Sequence, residues 1–94
     1  ITAKLITEKT ALHFDIPMKD ILSPRRDKEI VLPRQVAMYL LRSELHLSYP
    51  KIARELGRKD HTTAIHSVEK IENLLSHDFV IRQHLQELRA ILHG

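Results

Sequence analysis

The chain has 94 residues, 43% of them hydrophobic but only 4% aromatic, with no cysteine and a net charge of +3. That length allows one core of four to six short helices, and a core drawn from Leu, Ile, Val and Ala suits packed helices better than sheets. The composition excludes a disulfide framework and thiolate zinc ligation. No apolar run reaches the roughly 18 residues of a membrane span, and there is no Gly-rich phosphate loop, G-x-S-x-G elbow or cysteine nucleophile, so no catalytic residues are expected. The expectation is an all-α, soluble, cytoplasmic single domain over residues 1–94. Its start at Ile1 rather than Met suggests a fragment of a longer protein.

In chain order, the spacing predicts a first helix over about residues 2–14 with Ile1, Leu5 and Leu12 facing inward. "DIPMKDILS" reads as a turn and a short helix started by Pro17, and "PRRDKE" (24–29) as a charged loop. A third helix is expected from near Pro33 to about Leu45, burying Val36, Ala37, Leu40 and Leu41. "SYPKIARELG" (48–57) is a short delimited helix: Ser48 is its N-cap, Pro50 lies in the first turn, Ile52 and Leu56 are one turn apart, and Gly57 is the residue past its end. Asp60 is placed to cap the next helix by accepting from the amides of Thr62 or Thr63, and Ile65, Val68, Ile71 or Glu72, and Leu75 form its inward stripe. A last helix from about Asp78 turns Ile81, Leu85, Leu88 and Leu92 inward.

Residues 49–75 therefore read as a helix-turn-helix, with small Ala53 four residues before Gly57 so that two helices can cross closely. Charge concentrates around it. Residues 25–59 hold nine Lys/Arg against four Asp/Glu, a net of +5, whereas residues 1–24 balance and residues 60–94 are net −2. Such asymmetry suits a surface that faces a polyanion. On the second helix Thr62, His66 and Lys70 share the stripe opposite Ile65, Val68 and Leu75. Asp60, His61 and Thr62 at its start offer a carboxylate for cytosine N4, an imidazole, and a methyl-bearing hydroxyl for thymine. An ordinary helical hairpin with a solvated basic face has the same pattern, and capping alone also accounts for Asp60.

"LPRQVAMYLLR" (32–42) followed by "SYPKIARELGRKDHTTAIHSVEKI" (48–71) resembles the C-terminal DNA-binding domain of the DnaA family of bacterial chromosomal replication initiators, over essentially the whole chain. The resemblance implies binding to double-stranded DNA at TTATNCACA-type boxes of the replication origin. It implies base contacts from Asp60, His61 and Thr62 in the major groove, from Pro50 to a thymine methyl, and from Arg26, by register from "PRQ", in the adjacent minor groove. It further implies backbone contacts from Arg34, Gln35, Arg42, Thr63 and His66, to which the exposed stripe adds Lys70. No cofactor is implied in this domain. ATP or ADP, and self-assembly at the origin, would belong to the full-length parent. Four positions depart from the family pattern: Asp27 and Glu29 enter a loop that is usually Lys, Arg and Ser, Ala64 replaces a larger aliphatic residue, and Arg58 replaces a second glycine.

Two other functions fit the same residues. One is a transcription regulator with this reading head. The other is a docking module whose first helix, through Lys4, Lys9, Leu5 and Leu12, contacts acidic phospholipid or a partner protein. A metal site is not expected, because His61 and His66 are five apart, His77 and His84 seven apart, and no H-E-x-x-H occurs.

Overall fold

The structure is a computed structural model that describes residues 1–94. It contains six helices and no strand: α1 (Ala3–His13), α2 (Met18–Ile21), α3 (Lys28–Leu45), α4 (Tyr49–Glu55), α5 (Thr62–Leu75) and α6 (Phe79–His93). The longest, α3, is the axle. It packs against α1, α2, α4 and α5, while α6 closes the far side against α1 and α5. Val36, Ala37, Met38, Leu40 and Leu41 of α3 are buried among Ile6, Ile21, Ile52, Leu56, Ile71 and Leu85.

Three helices sit differently from the sequence reading. In α1 the buried face is Ile6, Thr7, Thr10 and Ala11, whereas Leu12 is 72% exposed, Ile1 50% exposed and Leu5 half-buried. The hydroxyl of Thr7 donates to the Ala3 carbonyl at 3.0 Å and that of Thr10 to the Ile6 carbonyl at 2.7 Å. Satisfied within their own helix, these threonines pack as apolar residues and redirect the stripe. Helix α3 begins five residues before Pro33, which lies inside it. Proline forfeits only the bond to the Glu29 carbonyl near the exposed helix start, and the extra turn buries Ile30. In α5 the inward face is Ala64, Ser67, Val68 and Ile71, with Ile65 and Leu75 half-buried and Glu72 exposed. Small Ala64 and Ser67 let α5 approach α3 and α4 closely.

The turn between α4 and α5 follows its sequence. Ser48 accepts from the Lys51 amide to start α4. At the other end Gly57 has φ +72°, the Gly57 amide donates to the Arg54 carbonyl at 3.1 Å, and the Arg58 amide donates to the Ala53 carbonyl at 2.7 Å. This pair of bonds is the Schellman ending that glycine favours. Asp78 likewise caps α6 by accepting from the Ile81 amide at 3.1 Å.

Candidate nucleic-acid interface

Helix α5 is held by its Ala64, Ser67, Val68 and Ile71 face, so Thr62, Thr63, His66 and Lys70 all emerge on the exposed side. Asp60 and His61 lie just ahead of the first turn, both exposed. Asp60 Oδ1 accepts from the Thr62 amide at 2.9 Å, one of the two partners expected for it. The cap position itself falls to His61, so Asp60 stands one residue outside the helix. Hydrogen bonds from Thr62, then the nearby His61 and His66 rings, hold the Asp60 carboxyl below its ordinary pKa. Asp60 is thus an anion whose second oxygen remains open to a donor.

The loop between α2 and α3 lies beside this helix. Arg26 lines one shallow groove with Gln35 of α3 and Lys70 of α5, and a second groove with Gln35, Arg58 and Thr63. Of the acids that the sequence places in this loop, Asp27 acts on the neighbouring Arg25. Arg25 pairs with Asp27 at 2.8 Å and with Asp20 at 3.3 Å. Arg26 is left exposed and unpaired, and Glu29 is exposed at the start of α3. Pro50 is exposed on α4 and lines neither groove.

Arg34 sits inward rather than on the open surface. It is 6% exposed, and its guanidinium donates to the carbonyls of Ile21 (2.8 Å), Arg25 (2.9 Å), Ser23 (2.8 Å) and Asp20 (3.3 Å). Four of its five N–H groups are committed to the end of α2 and the loop that follows it, so it holds the backbone at that junction. Burial, then the charge of Arg58, lowers its pKa from the ordinary arginine value, and burial does the same for Arg58. Arg42 is half-buried, donates to the Leu47 carbonyl at 2.8 Å and lies over the Tyr49 ring at 4.4 Å. It ties the end of α3 to α4 and keeps part of its fork open.

One side-chain constellation was invisible in the sequence. His13 and His84, 71 residues apart, join α1 to α6 through a 2.9 Å bond between Nε2 and Nδ1, and Glu87 stands 3.8 Å from the same His13 nitrogen. The trio is the one group of possible metal ligands that converges. A direct ring-to-ring hydrogen bond, with Phe14 packed against both rings at 4.9 and 4.8 Å, accounts for the closeness of the imidazoles without an ion.

Comparison with known proteins agrees with this architecture. A family model described as "Bacterial dnaA protein helix-turn-helix" matches residues 3–71. The chain is 43% identical over 93 residues to the chromosomal replication initiator protein DnaA of Thermomicrobium roseum, covering 99% of this chain and 20% of that protein. It is 45% identical over 89 residues to the protein of the same name from Geobacter sulfurreducens, covering 95% and 20%. The chain thus spans about a fifth of the length of these curated relatives. A crystal structure titled as that of a DNA replication initiation factor superposes with a TM-score of 0.80 at 33% identity, over 92% of this chain and 27% of the other. With its matched helix-turn-helix and a similarity to initiators of this name that runs along nearly all of its own length, the chain belongs to the bacterial DnaA helix-turn-helix family.

Proposed function

We propose that this chain binds double-stranded DNA at TTATNCACA-type boxes as the reading domain of a replication initiator, with α5 in the major groove and Arg26 in the adjacent minor groove. The observation that carries the reading is the division of labour among the basic residues. Arg25 is neutralised and Arg34 is turned inward, while Arg26, Lys70 and the Asp60–His61–Thr62 start of α5 stay exposed. Arg26 and Lys70 also line the same groove. A narrow A/T-rich minor groove concentrates negative potential and selects arginine, and the helix start supplies base-edge donors and acceptors. Gln35, Thr63, His66, Lys70 and the open part of Arg42 take the phosphates, and Pro50 takes a thymine methyl. Nucleotide binding and self-assembly belong to the parts of the relatives that this chain does not span.

Gel-shift titration of a TTATNCACA duplex beside a shuffled duplex tests the reading. The box should bind at least about tenfold tighter, since a specific site outcompetes random duplex by roughly 10³ or more in full interfaces. Equal affinities would reject it. Flotation with anionic vesicles would then examine contact between α1 and acidic phospholipid, the alternative that exposed Leu12 permits.

A further inference from the structure

The α2–α3 loop that carries Arg26 is gripped from two directions. Arg34 holds it from α3, with bonds to the loop carbonyls of residues 23 and 25 and to those of residues 20 and 21 at the end of α2. The second grip comes from the helix-turn-helix. Gly57 lies so close to the loop that a Cβ there would stand 2.9 Å from the Leu22 carbonyl oxygen. Beside it, Arg58 Nη2 donates to the carbonyls of Leu22 (3.1 Å) and Ser23, while its Nε donates to Leu56 at 3.1 Å. The turn that aims α5 is therefore bonded to the loop that presents Arg26, across 35 residues of sequence.

We propose that Arg58 is a positioning residue that sets the minor-groove Arg26 in register with the major-groove helix α5. The inference rests on the DNA reading above and adds a specificity role for a residue with no assigned base contact. Two groove contacts made at once gain most from each other when their spacing is fixed before binding, because a loose second contact costs ordering entropy. Arginine suits the task. Its rigid fork reaches the loop carbonyls while its Nε is pinned to its own turn, whereas a lysine ammonium is a point donor on a flexible stem. Since Arg34 holds the loop independently, loss of Arg58 leaves the fold in place and frees only the spacing between Arg26 and α5.

The test is a double-mutant cycle on this chain. Arg58→Gly, Arg26→Ala and the double variant are titrated against the box, against boxes altered at the A/T-rich end, and against boxes altered at C·G pairs. Arg58→Gly should lower discrimination at the A/T-rich end by about fivefold, near the low limit for one lost base-pair preference, with the C·G end unaffected. The double variant should lose no more than Arg26→Ala alone. Arg58→Lys, which keeps the charge, should show the same A/T-end loss with an unchanged salt slope, and it serves if the glycine variant unfolds. Independent effects of Arg58 and Arg26 in the cycle, equal loss at both ends, or a wild-type Arg58→Lys would overturn the proposal. If Arg26→Ala itself changes nothing at the A/T end, the minor-groove reading falls and this inference falls with it.

Discussion

At Asp60 the observed tie to the start of α5 and the proposed reading of a cytosine fall on one carboxylate, and substitution separates them. Its Oδ1 accepts from the Thr62 amide, a bond that asparagine can reproduce and alanine cannot. Asp60→Asn should leave the melting temperature nearly unchanged and Asp60→Ala should lower it, while both lose roughly tenfold or more of discrimination at one C·G pair. Melting curves and boxes changed one pair at a time decide this. An Asp60→Asn variant that reads every box as the wild type does would leave Asp60 only a local tie and pass base reading to His61 and Thr62. Arg34 makes the opposite case. Removing a buried guanidinium that satisfies four carbonyls should cost about 2–3 kcal/mol, in the range for charged hydrogen bonds lost with their partners left unpaired. Arg34→Lys should not restore it. Urea denaturation measures the loss, and a stability like that of the wild type would show that the loop does not depend on this residue.

Elements meet through a few contacts whose chemistry can be titrated or strained. The α1–α6 contact uses one hydrogen bond between two imidazoles, which needs one ring nitrogen as donor and the other as acceptor. Burial, then His84, lowers the His13 pKa, and Glu87 opposes both. A histidine whose folded pKa lies below its unfolded value favours the neutral form in the fold. Its contribution is complete above about pH 6.5 and is lost as pH falls toward the folded pKa. The melting temperature should therefore drop as pH is lowered below about 6.5, and His13→Phe should remove part of that drop. An unchanged pH profile in the variant would show that other histidines carry it. At the α4–α5 turn, Gly57→Ala places a methyl group against the Leu22 carbonyl at φ +72°. Strain and contact together should destabilise the chain by about 1–2 kcal/mol or more. Chemical denaturation reads this directly, and a neutral result would mean the turn can shift away from the loop.

Across the whole molecule, the charge asymmetry in the sequence survives folding but its hydrogen-bonding capacity does not. Of the nine cations in residues 25–59, Arg25 is paired with acids, and Arg34, Arg42 and Arg58 are bonded to carbonyls. The net positive charge of this segment is retained, and it suits attraction of a polyanion, but fewer side chains are free to seat phosphates than the count suggests. Lys70 is exposed on the face of α5 proposed to meet DNA. Lys70→Ala should weaken cognate and random duplex alike and flatten the plot of log K against log salt by about one unit. Loss confined to the cognate box would make Lys70 a base reader instead.

The sequence by itself determined the all-α class, the short α4 with its Ser48 and Gly57 boundaries, the inward face of α6, and which residues of α5 face outward. Each of these depends on neighbours within one or two helical turns, where periodicity and capping act. The buried side of α1, the true start of α3 and the hydrogen-bond partners of Arg34, Arg42 and Arg58 were decided only in three dimensions. Thr7 and Thr10 read as polar until their hydroxyls find carbonyls of the same helix, and Pro33 reads as a boundary until Ile30 is seen to be buried before it. An arginine's partners can lie 35 residues away, as those of Arg58 do, and the His13–His84 pair spans 71. Such pairings depend on how α3 gathers the other helices around it, and no local pattern in the chain encodes that.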